Sequence, residues 1–492
     1  AGLRYVPALV PLLGAAVQTY HMNRALGDNP YMDELFHIRQ TKAYCAGRFR
    51  TWDPKITTPP GLYLLVAAAT RVHNLTLGTT FADGPCSLTE ARWINTVLFV
   101  FCLPITLWLI KDLRPCENES KKDDDKRQEG NDGPLKTIVH SCCLMVYPPF
   151  FLFCSMYYTD VGSVLAVLVS YLLLRRGCSV ISALFGILAL LFRQTNAVWL
   201  CFIAADHILS KYESGLLTQK SNLQPETLRP TEMSNLPKAL FHLIAAVFHN
   251  LFSLLKYLLP HVLVVAGFIL AVCINGSVAL GDKENHQLTP HVAQMLYFAG
   301  STVAFQSVWS IRTLKGGTDE FRSRWKHAQV STVFKWIFIG ILCSLAVLFI
   351  TWRFTVVHPF LLADNRHYTF YIWKRILNGL NGRGRYLLAP GYVLAFYVLQ
   401  KQMCESRIMQ SRLRQLLLFG AVAVVLIPSP LFEFRYFITP FFMFYIHCCP
   451  EKNAVSGMLQ LLLSTAICGA VFLVFLLKPF QWVDGTLARF MW

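Results

Sequence analysis

The sequence predicts an all-α, polytopic membrane protein with about 13 to 14 transmembrane helices. Of its 492 residues, 54% are hydrophobic and only 15% are charged, and the mean hydropathy is +0.43, a combination that is rare in soluble domains. Apolar runs of about 17 to 25 residues, long enough to cross a ~30 Å hydrocarbon core, recur along the chain. Because these runs lack the two-residue alternation of a membrane β-barrel, helices are the structure that can satisfy their backbone in lipid.

Hydropathy defines the approximate position of each span. The predicted spans are 5–21, 92–110, 137–155, 162–174, 179–193, 196–210, 257–275, 290–310, 332–352, 386–400, 415–430, 437–449 and 456–477. The segment 59–72 follows two prolines and is too short to span comfortably, so we expect it to lie along the membrane interface.

The distribution of Lys and Arg predicts the topology. The connections rich in Lys and Arg are 111–136, Arg175 with Arg176, 211–256, 311–326 and 401–414. All of them fall on one side, which is cytosolic by the positive-inside rule. The net charge of +17 is scattered between apolar runs, and without a basic stripe it argues against nucleic-acid binding.

We predict a single multi-pass membrane domain over residues 1–492. Within it, 22–91 forms the first lumenal loop with interfacial helices, 111–136 is a flexible charged cytosolic loop, and 211–256 is a second cytosolic loop. The stretches 111–136 and 211–238 are polar and of low complexity, so we expect them to be solvated and flexible.

Most of the 15 cysteines carry no signal of chemistry. Many lie inside apolar runs, where cysteine acts as a small hydrophobic side chain, and no CxxC pair or zinc spacing occurs. Cys45 and Cys86 fall in the same predicted loop and can pair if that loop faces an oxidising compartment. The sequons at Asn74 and Asn275 fall on the same lumenal side, whereas Asn118 falls on the cytosolic side.

The lumenal side collects the unusual polar motifs. The first is YMDELFH, where Tyr31, Asp33 and Glu34 follow the first span closely. A carboxylate at the edge of a low-dielectric region can act as a general base, because its surroundings tune its proton affinity. The alternative is that the acidic pair caps the helix that follows and favours its dipole.

The second motif, WDPKITTPPGLY, combines Trp52, Asp53 and Lys55 with two prolines that fix a turn. Asp53 and Lys55 are suited to holding sugar hydroxyls or a phosphate; the alternative is a rigid loop with surface charges. In YYTD and FRQTN, Asp160 and Arg193 stand in apolar sequence, where ionisable residues are costly and usually functional. For Arg193 the alternative is snorkelling to the interface.

Two later motifs complete the lumenal set. HPFLLADNRHY brings together His358, Asp364, Arg366 and His367, and Arg at an interface binds phosphate bidentately. A metal site from His358, Asp364 and His367 is an alternative, but its spacing is weakly diagnostic. FEFRY adds Arg435, for which an internal ion pair with Glu433 is the alternative to phosphate binding.

The sequence lacks the motifs of several common classes of enzyme. There is no phosphate-binding Gly loop of P-loop or Rossmann type, no GxSxG and no HExxH, so we predict no cofactor and no metal. A transporter or channel-associated protein is a rival class, but it would place charges in mid-span, whereas here the strong charges lie at span ends. Sugar transfer from a lipid-linked phosphate needs a base carboxylate, cations and a groove open to the bilayer, all of which this sequence can supply.

These motifs also carry a family resemblance that runs nearly end to end. The segments YMDELFHIRQTKAYC, TWDPKITTPPGLYL, YYTD, FRQTN, HPFLLADNRHYTFYIWKRI, FRYFITPF, KPFQW and RFMW resemble the dolichyl-phosphate-glucose-dependent α-1,2-glucosyltransferases of the endoplasmic reticulum. Departures are confined to the loops 111–136 and 211–256.

The resemblance implies a GT-C glycosyltransferase fold in the endoplasmic reticulum membrane with a lumenal active site. The implied partners are dolichyl phosphate glucose as donor, a dolichyl-pyrophosphate-linked oligosaccharide as acceptor, and membrane lipid. It implies transfer of the terminal α-1,2-linked glucose by inverting single displacement, with Asp33 as base and Glu34 beside it. Arg366, His367, Arg193 and Arg435 are then candidate contacts of the donor phosphate. A related GT-C mannosyltransferase is the alternative within enzymes.

Overall fold

The computed structural model describes residues 5–77, 86–113, 133–217, 228–326, 329–448, 454–482 and 485–492. In these ranges nearly all regular structure is helical. The exceptions are two short antiparallel strands, β1 (Phe480–Gln481) and β2 (Leu487–Ala488). The protein is therefore an all-α polytopic membrane protein, as the sequence predicts. It divides into two compact units, Ala1–Gln287 with Gln410–Ala421 and Leu288–Met409 with Val422–Trp492, and the single domain over 1–492 stays a prediction.

Besides the short 3₁₀ helix Met233–Asn235, the first unit is built from eleven α-helices in the described ranges, joined by the first part of a later one. They are α1 (Val6–Leu26), α2 (Glu34–Cys45), α3 (Gly61–Leu77), α4 (Leu88–Leu113), α5 (Gly133–Met145), α6 (Pro148–Phe153), α7 (Thr159–Arg175), α8 (Ser179–Phe192), α9 (Asn196–Glu213), α10 (Leu236–His249) and α11 (Leu251–Asn275). α7 is the centre of this unit, because it packs on α4, α8 and α9.

The second unit contains the remaining helices. They are α12 (Ala293–Phe305), α13 (Ser307–Lys326), α14 (Val330–Arg353), α15 (Pro359–Ala363), α16 (Tyr368–Tyr371), a π-helix (Ile372–Leu377), α17 (Gly384–Leu387), α18 (Ala389–Glu405), α19 (Arg412–Leu426, which begins in the first unit), α20 (Ile438–Cys448) and α21 (Ala454–Leu477). α18 packs on α12, α13, α14 and α20.

Each predicted span coincides with helix. The span 290–310 falls on α12 and the start of α13, and α13 continues to Lys326, so the predicted connection 311–326 is helical. Three of the spans are broken, one of them at Leu388, which separates α17 from α18. The prolines at 148 and 149 separate α5 from α6, since proline lacks the backbone N–H that continues a helix. A break at Gln306 separates α12 from α13. The interfacial segment predicted at 59–72 is the helix α3.

Within the described residues, four helices are both long and apolar enough to cross a membrane alone: α4, α11, α14 and α21. Only 11% of the most apolar stretch of α11 and 6% of that of α14 is buried inside the protein. Such apolar exposure would be unstable in water, so these faces meet lipid. The count of about 13 to 14 spans stays a prediction.

The predicted cytosolic loop 211–256 contains a helix that the low-complexity pattern did not indicate. α10 buries Ala239 and Ala246 in an apolar cluster with Leu209, Tyr212 and Leu413. Small alanine side chains allow the close approach that this packing needs. Most of the predicted loop 111–136, including Asn118, lies outside the described residues.

A disulfide joins Cys45, at the end of α2, to Cys86, just before α4. The sequence had left this pairing as a possibility, and the structure contains it. Because disulfides persist in oxidising compartments, the bond suits a lumenal position for residues 22–91.

We predict that Cys45→Ala lowers the thermal unfolding temperature of the purified protein, because the open chain gains conformational freedom in the unfolded state. Cys343→Ala is the matched control, since this exposed cysteine is unpaired. Equal melting temperatures for the two variants and the wild type, measured with a thiol-independent probe, would show that the bond has no role in stability.

Candidate functional site

A fully buried ion pair organises the predicted first lumenal loop. The side chains of Glu34 and Arg92 both have 0% exposure. Arg92 donates from Nε to Oε1 of Glu34 at 2.9 Å and from its second terminal nitrogen to Oε2 at 2.6 Å. The backbone N–H groups of Tyr157 and Tyr31 donate to the same two oxygens at 2.8 and 3.0 Å. Four donors therefore saturate the Glu34 carboxylate.

Arg92 is equally satisfied. Besides Glu34 it donates to the carbonyl of Gly27 at 2.8 Å, the carbonyl of Asn29 at 3.1 Å and Oδ1 of Asn23 at 3.3 Å. These bonds occupy all five N–H groups of the guanidinium. One side chain of α4 thus fixes the end of α1, the chain that follows it and the start of α2.

Asp33 stands at the N-cap position of α2, yet its side chain accepts no capping hydrogen bond. Its backbone N–H donates to the hydroxyl of Tyr158 at 3.1 Å, and the residue is partly exposed. The preceding Met32 has a φ of 57°, a left-handed conformation that is costly for a side chain of this size. This turn brings Tyr31 and Glu34 together and leaves Asp33 outside the buried pair.

An aromatic wall lies next to Asp33. Nδ1 of His37, one helical turn further along α2, is 2.8 Å from the hydroxyl of Tyr63. The ring of Tyr158 packs edge-on against His37 at 5.7 Å. Behind them, the hydroxyls of Thr41 and Tyr157 are 2.6 Å apart. The wall is therefore rigid and carries hydroxyl and imidazole groups.

The WDPK loop is fixed against α2. Gln40 donates to the carbonyl of Thr51 at 2.7 Å and accepts from the backbone N–H of Asp53 at 3.0 Å. Burial raises the pKa of Tyr63, and the negative charges of Asp33 and Asp53 raise it further. The Tyr63 hydroxyl therefore stays protonated at neutral pH.

The other two predicted residues of this loop are more exposed. Trp52 packs its ring at 6.1 Å from that of Tyr63. The ammonium of Lys55 lies 5.7 Å from the ring of Phe36 and is open to solvent. Asp53 accepts from the backbone N–H of Lys55 at 2.9 Å, so the loop forms a compact turn.

Asp160 and Arg193 form a second ion pair in the first unit. The guanidinium is 2.9 Å from Oδ1 of Asp160, which is almost fully buried, while Arg193 is 16% exposed. Nε of Arg193 also donates to the hydroxyl of Thr159 at 3.2 Å. Since Thr159 follows Tyr158 directly, the motifs YMDELFH, YYTD and FRQTN meet in one place.

In the second unit, Arg366 is held by three contacts. It donates to both oxygens of Asp364 at 2.8 and 2.7 Å, and its guanidinium stacks over the ring of Trp482 at 3.9 Å. Burial raises the pKa of Asp364, but the hydrogen bonds of Arg366 and the charge of His367 outweigh burial and leave that pKa below its ordinary value. The carboxylate is therefore charged at neutral pH.

The last residues of the chain pack on this cluster. Nδ1 of His367 is 2.9 Å from the backbone oxygen of Trp492. Met491 forms backbone hydrogen bonds of 2.9 Å with Arg366 and Tyr368. The segments HPFLLADNRHY and RFMW thus form one folded structure.

The remaining predicted residues have local partners. Arg435 donates to Glu433 at 3.0 Å, the internal ion pair that the sequence offered as an alternative. Nδ1 of His358 accepts from the backbone N–H of Phe360 and caps α15. Of the three residues of the alternative metal site, Asp364 is engaged by Arg366 and lies 3.9 Å from His367, whereas His358 makes a separate contact.

Sequence reasoning missed several residues that shape these clusters: Arg92, His37, Tyr63, Tyr157 and Tyr158. A signal existed for Arg92, because an arginine at the start of an otherwise apolar span is costly and is expected to have a buried partner. Which residue pairs with it, 58 positions away in sequence, is determined by the tertiary fold.

Comparison with known proteins gives the family. The model of the DIE2/ALG10 family matches residues 27–446, which include every cluster described above except the last residues of the chain. The chain belongs to the DIE2/ALG10 family.

Three relatives are named Dol-P-Glc:Glc(2)Man(9)GlcNAc(2)-PP-Dol alpha-1,2-glucosyltransferase. The protein from Mus musculus is 33% identical, with 96% of this chain and 94% of the relative covered. Those from Arabidopsis thaliana and Homo sapiens are 31% and 30% identical, with 94% and 96% of this chain and 95% and 94% of the relative covered. No solved structure shows significant similarity. These names give no support to the mannosyltransferase or transporter alternatives.

For this member of the DIE2/ALG10 family we predict that Arg92→Met strongly lowers the thermal unfolding temperature. Removing one partner leaves the other charge buried and unpaired, which costs about 3–5 kcal/mol. The double variant Arg92→Met with Glu34→Leu removes both charges, so it should regain part of the loss. A double variant no more stable than Arg92→Met alone would contradict this account of the pair.

Proposed function

We propose that the protein transfers the glucose of dolichyl phosphate glucose to the diglucosylated dolichyl-pyrophosphate-linked oligosaccharide, forming an α-1,2 linkage. It is a glucosyltransferase of the endoplasmic reticulum membrane that serves protein N-glycosylation. The observation that carries this proposal is the family match over most of the chain, together with relatives of that name over at least 94% of their length. Donor and acceptor are both membrane-anchored, which suits a polytopic protein.

The proposed base is Asp33. Its neighbour Glu34 accepts four hydrogen bonds and is fully buried, so we assign Glu34 to holding the loop. Asp33 is partly exposed and accepts no capping bond, which favours a chemical role over capping. Its carboxylate takes the proton of the acceptor 2-hydroxyl as that oxygen attacks C1 of glucose. The bond from C1 to the phosphate oxygen breaks in the same step, which inverts the configuration.

The departing phosphate gains negative charge and needs a cation or hydrogen-bond donor. Arg193, Arg366, His367 and Arg435 remain the proposed donor-phosphate contacts. Within the first unit, Arg193 is connected to Asp33 through the adjacent residues Tyr158 and Thr159. Tyr31, Trp52, Asp53, Lys55, Asp160, His358 and Asp364 remain proposed substrate contacts or supports of them.

We propose that this chemistry faces the lumen. The Cys45–Cys86 disulfide in the loop that contains Asp33 supports this orientation, because such bonds form in oxidising compartments. The basic connections on the opposite side support it as well.

We predict that Asp33→Asn reduces turnover by about 10²- to 10⁴-fold while leaving the unfolding temperature unchanged. Asparagine keeps the size of the side chain but cannot accept the proton. The measurement is glucose transfer from dolichyl phosphate glucose to the diglucosylated acceptor by purified protein, with a thermal melt of each variant.

Glu34→Gln serves as the comparison for Asp33→Asn. Because Glu34 is buried and paired, we expect this variant to lose stability and activity together. A stable, inactive Glu34→Gln with an active Asp33→Asn would move the base by one residue. Normal turnover in both would remove this loop from the chemistry.

For the second unit we predict that Arg366→Ala raises the KM of the donor more than that of the acceptor, because a leaving phosphate needs a cation. Arg366→Lys is the matched control. It weakens the same ion pair but keeps a cation, so the donor KM should stay near that of the wild type. If both variants raise both KM values alike, Arg366 acts only through its contact with Asp364.

A further inference from the structure

An open groove of about 440 Å³ lies in the second unit. Tyr368, Tyr371 and Ile376 form one wall, Val471 and Val474 of α21 form the other, and Trp492 adjoins both. This volume lies within the range of about 300–1,000 Å³ typical of small-molecule sites. The walls are almost entirely apolar, so the groove suits hydrocarbon.

The groove lies at membrane depth. Its second wall is the last two turns of α21, a helix long and apolar enough to span the bilayer. On the same turns Leu473 and Leu477 are 55% and 69% exposed, and such residues face lipid in a spanning helix. A hydrocarbon chain can therefore enter from the side, out of the bilayer.

Arg375 is the charged residue among those that line the groove. It is exposed, and its guanidinium lies 5.4 Å from the ring centroid of Tyr371. Arg193, Arg366 and Arg435 each bind a carboxylate, whereas in the part of the chain that the structure describes Arg375 has no acidic side chain within ion-pair distance. An unneutralised cation beside an apolar groove matches an anionic lipid.

The backbone that carries Arg375 is held in an uncommon form. Arg375 belongs to the π-helix Ile372–Leu377, and π-helical turns often occur at functional sites. Gly379 and Gly384 pack against the carbonyls of Arg375 and Ile376 so closely that a Cβ at either position would overlap them. The guanidinium is thus presented from a fixed turn.

We propose that this groove binds the polyprenyl chain of the dolichyl phosphate donor, with Arg375 beside its phosphate. The proposal rests on the proposed function, since it takes the donor from there. The wall residue Tyr368 directly follows His367, whose ring bonds to the backbone of Trp492 at the groove. The apolar walls of the groove, the cation of Arg375 and the proposed phosphate contact His367 therefore lie together in the second unit.

Val474→Trp tests the groove by filling it. The matched control is Leu473→Trp, the adjacent residue of the same helix, which points to the exposed side. Each variant is assayed with dolichyl phosphate glucose and with citronellyl phosphate glucose, a donor whose chain is too short to fill the groove. We expect Val474→Trp to raise the KM of the long-chain donor about tenfold, which is the effect of losing contacts worth about two methylene groups. The KM of Val474→Trp for the short-chain donor, and those of Leu473→Trp for both donors, should stay near the wild-type values.

Each other result counts against the groove as the donor site. A tenfold rise for both donors, or for neither, would overturn the proposal. A rise only in the KM of the acceptor would assign the groove to the acceptor lipid instead.

Arg375→Ala tests the phosphate contact. Both donors carry the phosphate, so the variant should raise the KM of both, whereas Lys374→Ala, the neighbouring exposed cation, should change neither. Equal KM values for Arg375→Ala and Lys374→Ala would contradict a phosphate role for Arg375.

A measurement on the wild-type protein tests the groove without any variant, so it does not depend on whether a variant folds. It also does not require that glucose is transferred, so it separates failure of the groove proposal from failure of the proposed function. Dolichyl phosphate with a diazirine in one of the isoprene units next to the phosphate is irradiated with the protein in lipid nanodiscs, and labelled peptides are identified by mass spectrometry. We expect label on 368–376 and 470–474, and protection by unlabelled dolichyl phosphate but not by dioleoyl phosphatidate. Label elsewhere, or equal protection by phosphatidate, overturns the proposal even if no glucose is transferred.

Discussion

The buried pair of Glu34 and Arg92 is the interaction on which the predicted first lumenal loop depends. Transferring two charges out of water costs several kcal/mol per ion, and this cost is offset only when the remaining hydrogen-bonding groups are also satisfied. Here four donors reach the carboxylate and all five guanidinium N–H groups are used. The pair therefore acts as a positional constraint more than as a source of stability. It fixes α1, α2 and α4 together with the backbone that leads into YYTD, so Asp33 is held on a rigid support.

The arginines of the other sequence motifs are also paired with carboxylates. Arg193, Arg366 and Arg435 are each matched by a carboxylate within 3.0 Å. A cation that must meet a phosphate at a membrane surface cannot remain unpaired at low dielectric without cost, and a nearby carboxylate lowers that cost. The carboxylate also orients the guanidinium, which leaves fewer rotamers to restrict when a ligand binds. Arg375 differs from these three arginines, because it is exposed and its guanidinium lies over the ring of Tyr371.

Hydropathy predicted the helices well because each span is a long apolar run, and such a run in lipid has one way to satisfy its backbone. It did not predict α10, which packs two buried alanines in an apolar cluster with residues of α9 and α19. The motifs located the clusters, since polar residues in apolar sequence are rare. They could not reveal that Glu34 pairs with Arg92 or that Arg366 lies on Trp482, because these contacts join residues far apart in the chain. The local sequence identifies which charged and polar side chains are present. The tertiary fold determines which of them form structural contacts.

Asp33 and Glu34 illustrate that division at two adjacent positions. By residue type either could be a base, and by sequence both stand at the start of α2. The left-handed turn at Met32 and the hydrogen bond from the backbone of Tyr31 direct Glu34 into the protein. A base has to reach solvent or substrate to exchange its proton, which a carboxylate with 0% exposure and four donors cannot do without breaking the pair. Asp33 adjoins this rigid pair and is partly exposed, which is why we propose it, and not Glu34, as the base. The acidic pair at the edge of the membrane is thus best understood as one residue that holds the loop, Glu34, and one that we propose as the base, Asp33.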